Sequence, residues 1–275
     1  MSGDILVSVI ITTKNEEKNI ENCLLSVTDQ EFPKDRLEII VVDNNSSDAT
    51  KKIAAQYSDK VFDKGPERSA QRNYGAEVAS GRYMLYLDAD MILSKTVVSE
   101  CVESAVNGSF MGMYIPETIV GTGYWIKVRN FERGFYNATC IDAARFMFRD
   151  AFLSIGGFDL SLTGPEDWDL DRRLLSKGKA GIINGCLFHN EGDFNIDKYK
   201  KKKAYYVGSF SAYIDKWGKN DVIVRKQLGL YYRYFGVFIE KGKWKRLVSH
   251  PLLAFGLYWL RFLVGIEYLK KAAGR

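Results

Sequence analysis

Two carboxylates on alternate positions follow an apolar run in the first third of the chain. Asp88 and Asp90 come directly after residues 83–87 (YMLYL), which have the composition of a buried strand. Carboxylates at the end of a strand can share one divalent cation, and Mg²⁺ or Mn²⁺ prefers such oxygen ligands and bridges readily to a diphosphate. The spacing therefore predicts a cation site, although a solvated acidic loop would give the same motif.

Two further pairs of polar residues are candidates for binding a nucleotide. Asp43 and Asn44 follow a second apolar run, where short side chains can hydrogen-bond a base or ribose, or close an Asx turn. Arg68 and Arg72 are four residues apart on a predicted helix and so share one face. That face can hold phosphate oxygens, or it can be an ordinary exposed basic surface.

Acidic residues and a histidine in the second half of the chain could do proton chemistry. Glu166 and Asp167 lie where a helix should begin after Pro165, a position that favours acids whatever their function. One carboxylate is also enough to accept the proton of a hydroxyl that displaces a leaving group. His189, one of two histidines, stands near Glu191 and could complete a metal shell or contact phosphate.

Alternating strand and helix patterns over the first 90 residues must position these side chains. The patterns predict strands at 5–12, 37–42, 61–62 and 83–87, and helices at 16–28, 48–57 and 69–79. This alternation predicts parallel strands with right-handed crossovers. Ligands of such sheets lie outside the carboxyl ends of the strands, which directs attention to residues 12–16, 43–46 and 88–90.

The composition of the 275-residue chain is that of a globular protein, with 46% hydrophobic residues, 27% charged residues and a net charge of +5. The modest charge gives no indication of a nucleic-acid partner. It suits an anionic partner such as a nucleotide diphosphate or an acidic membrane surface. Four scattered cysteines without a CxxC pair indicate reduced thiols in the cytosol, and no signal peptide is visible.

The composition shifts near residue 198, where helical patterns begin and predict helices at 198–217, 221–240 and 251–270. Residues 252–266 form an apolar run that is too short to span ~30 Å of hydrocarbon comfortably. Lys270, Lys271 and Arg275 follow this run. Basic residues that could meet anionic lipid, at ~1 kcal/mol each, are Lys198, Lys200, Lys201, Lys202, Lys203, Lys241, Lys243, Lys245 and Arg246. We expect either a helix lying in the membrane interface or a helical hairpin packed on the protein or on a dimer partner.

Four segments, in this order and spacing, resemble the large family 2 of inverting glycosyltransferases with the GT-A fold. They are VSVIITTKNEEKNIENCLLSV, IIVVDNNSSDAT, ERSAQRNYGAEVASGRYMLYLDAD and GPEDWDL, and the resemblance covers roughly residues 5–192. It implies an α/β protein of GT-A type, with a single Rossmann-like nucleotide-binding domain on a mixed central sheet at 1–197. Beyond the part that the resemblance covers, the shift in composition predicts a helical C-terminal region at 198–275, with contact to the membrane or to protein left open.

The resemblance also implies a role for each candidate residue. Residues that would bind the donor substrate are Thr12, Lys14, Asn15, Glu16, Asp43, Asn44, Arg68, Arg72 and Asp88. Asp90, together with His189, would bind the metal, Asp167 would be the catalytic base, and Glu166 would orient the acceptor. Asn44 stands where the family often has a second aspartate. The base of the donor nucleotide could therefore be guanine or thymine as well as uracil.

The expected function is inverting transfer of a sugar from a nucleotide diphosphate sugar to a hydroxyl of a glycan, glycolipid or polyprenyl-linked acceptor. Mn²⁺ or Mg²⁺ would be the cofactor. The alternatives are a polyprenyl-phosphate sugar synthase, a nucleotidyltransferase and a non-catalytic nucleotide-sugar binding protein. The expected location is the cytoplasm, peripherally on the cytoplasmic face of the membrane, and a homo-oligomer stays open.

Overall fold

A computed structural model describes residues 4–192, 194–206 and 209–273, without the side chains of 202–204, 267, 268 and 270–273. Some of the basic residues named above fall outside the described part of the chain: Arg275 entirely, and the side chains of Lys202, Lys203, Lys270 and Lys271.

The chain forms two compact units. The first unit contains the chain up to Thr118, Ala143–Leu160 and Asp169–Asn190; the second contains Ile119–Asp142, Ser161–Trp168 and the chain from Glu191 onward. The domain boundary predicted at residue 197 stays a prediction.

The strands alternate with helices through the first part of the chain. The strands are β1 (Val7–Thr13), β2 (Leu37–Asp43), β3 (Lys60–Asp63), β4 (Tyr83–Asp88), β5 (Met91–Leu93), β6 (Gly112–Tyr114), β7 (Glu117–Ile119), β8 (Phe146–Phe148), β9 (Ala180–Ile182) and β10 (Leu187–His189). The helices up to that point are α1 (Ile20–Thr28), α2 (Thr50–Ala54), α3 (Glu67–Val78), α4 (Val97–Gly108), α5 (Tyr124–Arg133), α6 (Arg149–Ser154) and α7 (Glu166–Leu175).

A seven-stranded mixed sheet, in the order β3-β2-β1-β4-β8-β6-β9, is the centre of the first unit. β3, β2, β1 and β4 are parallel, as the alternation of elements predicted, while β8 runs antiparallel to both β4 and β6. The apolar faces of these strands pack under α1 and α4 around residues such as Val9, Ile11 and Leu85, each 0% exposed. Burial of this apolar surface fixes the sheet, and the sheet fixes the ends of its strands.

The register of the parallel strands aligns the polar residues that follow them. Thr13 lies opposite Asp43 on β2, and Thr12 lies opposite Asp88 on β4. A small second sheet, in the order β5-β10-β7, pairs β10 antiparallel with β5 and places His189 opposite Met91. This pairing brings His189 next to Asp90, although the two residues are 99 positions apart in the sequence.

The second unit is mainly helical. Besides α5 it contains α8 (Ile196–Tyr206), α9 (Phe210–Trp217), α10 (Val222–Leu228), a π-helical turn at Tyr232–Gly236, α11 (Val237–Ile239), α12 (Trp244–Ser249) and α13 (Pro251–Ala273). Aromatic and aliphatic side chains of α5, α11 and α13, among them Phe131, Phe238 and Leu257, form its core.

One helix predicted for this unit is wrong in its extent. Residues 221–240 do not form a single helix, because α10 ends at Leu228 and the backbone of the next residue, Gly229, is extended with ψ 137°. A Cβ atom at Gly229 would lie 2.1 Å from the carbonyl oxygen of Arg225, so glycine is required at this break. Within the described residues, none of the helices combines the length and the apolar character needed to cross a membrane.

Candidate active site

The loop after β1 and the loop after β2 are joined by hydrogen bonds. The Asn15 amide donates to Ser46 Oγ at 2.7 Å, and Asn15 Oδ1 accepts from the Ser47 amide at 2.9 Å. The Glu16 amide donates to Thr50 Oγ1 at 2.8 Å. These contacts hold Asn15 and Glu16 in place, whereas the Lys14 side chain beside them is exposed.

Asp43 and Asn44, at the end of β2, make different contacts in these loops. The buried Asp43 carboxylate accepts from the Ser46 amide at 2.6 Å and from Ser46 Oγ at 2.5 Å. These bonds close the loop after β2, and they reach one residue further than the Asx turn expected as the competing interpretation. The Asn44 amide donates to Thr13 O at 2.9 Å, and its side chain packs directly over Gly65, where an added Cβ would lie 2.2 Å from Asn44 Oδ1. Asp43 therefore shapes the loop, and Gly65 leaves room for Asn44.

Asp88 is a fixed anion at the end of β4. Its Oδ1 accepts from Thr12 Oγ1 at 2.9 Å and from Arg72 Nη2 at 2.8 Å, and Arg68 Nη1 lies 3.6 Å from its Oδ2. Although burial opposes ionisation, Arg72, Arg68 and Arg145 hold the pKa of Asp88 well below its usual range.

The two arginines of α3 are not equivalent. Arg72 is 1% exposed, and its guanidinium lies 4.5 Å from the ring centroid of Tyr86, so it is a buried support for Asp88. The side chain of Arg68 is 36% exposed and keeps a face open to solvent. Of the two, Arg68 is the better placed to meet a phosphate.

Asp90, His189 and Glu117 form a line of hydrogen bonds. His189 Nε2 lies 3.1 Å from Asp90 Oδ2, and His189 Nδ1 lies 3.0 Å from Glu117 Oε1. Glu117 Oε2 in turn lies 3.5 Å from Arg145 Nη2. Burial disfavours a charged imidazole, but the bonds to the two carboxylates prevail and raise the pKa of His189 to about 9.

A second chain of hydrogen bonds connects the first loop to the same place. Glu16 Oε2 accepts from Asn19 Nδ2 at 2.7 Å, and Asn19 Oδ1 accepts from Asn190 Nδ2 at 2.8 Å. The Asn190 amide then donates to the carbonyl oxygen of Asp90 at 2.8 Å. Burial raises the pKa of Glu16, with smaller contributions from the charges of Asp90, Asp48 and Asp88.

The donor atoms around Asp90 fit a divalent cation. Over the part of the chain that the structure describes, no three His, Cys, Asp or Glu side chains are grouped so that they could hold a metal ion by themselves. Asp90 Oδ1, however, is shielded from solvent and has no hydrogen-bond partner among the described residues, while Oδ2 lies beside His189 Nε2. Mg²⁺ and similar cations often take one or two protein ligands and complete their shell with substrate phosphates and water. An incomplete protein shell of this kind is therefore compatible with a cation.

Glu166 and Asp167 begin α7, and Pro165 precedes them. The Glu166 carboxylate is 2% exposed and accepts from the Gly164 amide, so it stabilises the turn before the helix. Asp167 is half-buried. Next to it, Trp168 donates from Nε1 to Ile141 O at 3.2 Å and stacks on Phe210, which fixes the start of the helix.

The first unit thus gathers most of the predicted site at one edge of the sheet. Thr12, Asp43, Asn44, Arg68, Arg72, Asp88, Asp90 and His189 lie at or beside the carboxyl ends of β1, β2 and β4, with Asn15 and Glu16 in the adjoining loop. Sequence reasoning missed Glu117, Arg145, Asn19 and Asn190. The sequence held one indication of Asn190, its place directly after His189. Glu117 is far from the other site residues in the sequence, and the pairing of β7 with β10 brings it to His189.

The model of the family described as Glycosyl transferase family 2 matches residues 8–156, more than half of the chain. The glycosyltransferase AglE of Haloferax volcanii is 44% identical over 91 residues, which are 30% of this chain and 30% of that protein. The GalNAc(5)-diNAcBac-PP-undecaprenol beta-1,3-glucosyltransferase of Campylobacter jejuni is 26% identical over 217 residues, covering 75% of this chain and 64% of that protein. The matched regions span less than two thirds of the length of each relative.

The fold is shared with solved structures. The mannosyltransferase PcManGT from Pyrobaculum calidifontis, in complex with GDP-Man and Mn²⁺, superposes with a TM-score of 0.63 at 18% identity, covering 99% of this chain and 81% of that one. At this identity the likeness shows the fold. The GT-A fold with a mixed central sheet and C-terminal helices, predicted from the sequence, is confirmed.

Proposed function

The chain belongs to glycosyl transferase family 2, and from this premise we propose that it transfers a sugar, with inversion, from a nucleotide diphosphate sugar to a hydroxyl of a lipid-linked acceptor. The observation that carries the proposal is the set of polar groups at the carboxyl edge of β1, β2 and β4. There Asp90 Oδ1 is shielded and has no hydrogen-bond partner within the described part of the chain, Asp90 Oδ2 lies beside His189, and Asp88 is fixed by Thr12 and Arg72.

The donor would be held by the loops at that edge. The proposed donor-binding residues are Thr12, Lys14, Asn15, Glu16, Asp43, Asn44, Arg68, Arg72 and Asp88. Asn44, directed over Gly65, is the residue that would read the base, while Asp43 keeps its loop in shape. Arg68 would meet the diphosphate, and Arg72 would act through Asp88, because its guanidinium is already buried against that carboxylate.

Asp90 and His189 are the residues that would hold Mn²⁺ or Mg²⁺. A bound cation of this kind supplies Lewis acidity that neutralises charge developing on the leaving diphosphate. Two features support the assignment: the Asp90 carboxylate oxygen that has no partner among the residues that the structure describes, and the second hydrogen bond that His189 makes to Glu117. The mannosyltransferase with the same fold is described as a complex with Mn²⁺.

Asp167 would act as the general base. The acceptor hydroxyl would give its proton to the Asp167 carboxylate while its oxygen forms a bond to the anomeric carbon. The bond from that carbon to the phosphate oxygen breaks, and the nucleoside diphosphate leaves with the bonding electrons. A single displacement of this kind inverts the anomeric centre. Glu166 would keep the turn before α7 in position for the acceptor.

A lipid-linked acceptor is supported by a relative and by the second unit. The Campylobacter jejuni relative is named for a PP-undecaprenol acceptor. In the second unit, the exposed residues of α13 recur every three or four positions and form one apolar face: Leu252, Phe255, Trp259 and Phe262, exposed by 76%, 70%, 45% and 54%. Trp244 and Val248 on α12 are also exposed, beside the exposed Lys241 and Lys245. The four apolar residues of α13 are here called the α13 face. Together with the exposed apolar and basic residues of α12 and the turn before it, they have the composition that suits the interface of an anionic membrane.

The function is tested by screening donors and then analysing products. Thermal unfolding of the purified chain is measured with UDP-, GDP- and dTDP-sugars, with and without Mn²⁺, because stabilisation follows affinity. The donor that stabilises most is then incubated with polyprenyl diphosphate-linked and diacylglycerol acceptors. The expected products are a nucleoside diphosphate and a glycosylated lipid of inverted anomeric configuration. Release of pyrophosphate would instead indicate a nucleotidyltransferase, and donor binding without a product would indicate a sensor.

A further inference from the structure

Glu117 lies between two residues of the candidate site and has no role assigned by the sequence. Its side chain is 9% exposed, with Oε1 3.0 Å from His189 Nδ1 and Oε2 3.5 Å from Arg145 Nη2. It begins β7, and β7 pairs with β10, the strand that ends at His189. The sheet therefore sets the distance between the Glu117 carboxylate and the imidazole.

The chemistry of a histidine ligand explains why this contact matters. An imidazole that binds a cation through Nε2 carries its one proton on Nδ1, and that proton needs an acceptor. A carboxylate in this position fixes both the tautomer and the plane of the ring. Glu117 supplies such an acceptor on the side of the ring opposite Asp90.

We propose that Glu117 is a positioning residue that holds His189 through Nδ1, so that Nε2 faces Asp90 and the cation bound there. The inference rests on the cation site of the proposed function. Arg145 completes the arrangement, because its guanidinium lies near Glu117 Oε2 and 5.5 Å from the ring centroid of Tyr86, and so restrains the carboxylate. Glu117 acts on the cation only through His189.

The test is a double-mutant cycle on Mn²⁺ affinity in the full chain, with Glu117→Gln, His189→Ala and the combination of both. Mn²⁺ is titrated alone and in the presence of UDP or GDP, and the free ion is followed by electron paramagnetic resonance. Glu117→Gln should weaken Mn²⁺ binding by ~10–100-fold. In the His189→Ala background the same substitution should have no further effect, because the residue through which Glu117 acts is gone.

A matched control separates positioning from simple loss of structure. Glu100 is another carboxylate of the first unit, and it supports the turn that precedes β10 by accepting from the amides of Asn184 and Gly185 at 2.8 and 2.9 Å. Glu100→Gln should reduce thermal stability and leave Mn²⁺ affinity within about twofold of wild type.

A second readout uses the small number of histidines in the chain. Because the protein contains only His189 and His250, long-range ¹H–¹⁵N spectra resolve each ring, with His250 as an internal reference. With Mg²⁺ bound, wild type should show the proton of His189 on Nδ1. Glu117→Gln should shift the His189 signals and leave those of His250 in place.

Three results would overturn the inference. The first is unchanged Mn²⁺ affinity in Glu117→Gln, and the second is a loss of Mn²⁺ affinity on Glu117→Gln that is as large in the His189→Ala background as in wild type. The third is the absence of Mn²⁺ binding by the wild-type chain in any titration. None of these measurements requires turnover. If the double-mutant cycle gives the expected result but the chain forms no glycosylated product, the role of Glu117 stands and the proposed sugar transfer is wrong. If the chain forms the product but the cycle fails, the sugar transfer stands and the role of Glu117 is wrong.

Discussion

Arg72 and Asp88 form an ion pair, with Nη2 2.8 Å from Oδ1, at the point where α3 meets the end of β4. Arg72 is 1% exposed, and aromatic rings of Tyr86 and Phe158 lie against its guanidinium. The pair holds Asp88 ionised at the edge of the sheet where the donor is proposed to bind. Much of the stability of the site should therefore depend on this one buried contact.

Arg72→Leu should destabilise the fold strongly. The substitution leaves the Asp88 carboxylate in a partly buried position without its main partner, a change that typically costs about 3–5 kcal/mol. The free energy of unfolding in urea measures the effect. Arg68→Leu is the matched control, because its 3.6 Å contact with Asp88 comes from a half-exposed side chain and should be worth less than about 1 kcal/mol. Equal effects of the two substitutions would contradict the buried role of Arg72.

Asp90→Asn should abolish the effect of Mn²⁺ on donor binding. The substitution removes the charge of the carboxylate whose Oδ1 is proposed to meet the cation. The thermal shift given by donor and Mn²⁺ together should fall to the shift given by donor alone. Asp150→Asn, at a carboxylate that is 95% exposed, should keep the wild-type response. A full Mn²⁺ response in Asp90→Asn would remove Asp90 from the metal site.

Asp167→Asn should lower kcat by about 10²–10⁴-fold and leave donor binding intact, because it removes the proposed proton acceptor without changing the shape of the side chain. Single-turnover kinetics and donor-induced thermal shifts measure the two properties separately. Asp215→Asn, at an exposed aspartate of α9, serves as the control. Undiminished turnover in Asp167→Asn would assign the base to another residue.

Glu38 should make stability depend on pH in the acid range. Burial opposes its ionisation, but hydrogen bonds from Lys60, Ser8 and the Ser80 amide lower its pKa below the ordinary value of 4.5. A lowered pKa in the folded state contributes stability that is present above about pH 4.5 and is lost as the pH falls through the folded pKa.

Urea unfolding of wild type and Glu38→Gln between pH 7 and pH 3 tests this expectation. The free energies of unfolding should differ most at pH 7 and should converge as the pH falls. A constant difference across the range would show that the charge of Glu38 contributes nothing.

The α13 face should bind anionic membranes. Replacing Trp259 and Phe262 together by serine removes two exposed aromatic side chains, each worth about 1.5–3 kcal/mol when fully buried. Flotation with phosphatidylglycerol vesicles should show at least a tenfold loss of binding. Leu160→Ser, at a residue of the first unit that is 65% exposed, should bind as wild type does. Absence of wild-type binding to vesicles, with a dimer in sedimentation, would assign the face to a second copy of the chain.

The sequence by itself determined the parallel half of the sheet and the residues at its edge. Strands such as Val7–Thr13 and Tyr83–Asp88 are mostly apolar, and apolar residues on both faces of a strand are typical of a parallel sheet that is covered on both sides. Parallel strands with crossovers then put their carboxyl ends at one edge. Local pattern was therefore enough to predict that Thr12, Asp43 and Asp88 would lie together.

Only the tertiary structure decided what those side chains do. Pairing of β5 with β10 and of β10 with β7 brings Asp90, His189 and Glu117 into one line, and short strands separated by some 70–100 residues leave no periodic signal in the sequence. The different environments of Arg68 and Arg72 likewise depend on the tertiary structure, because the rings of Tyr86 and Phe158 cover Arg72. Register and burial are properties of the assembled fold, because non-local pairing sets both.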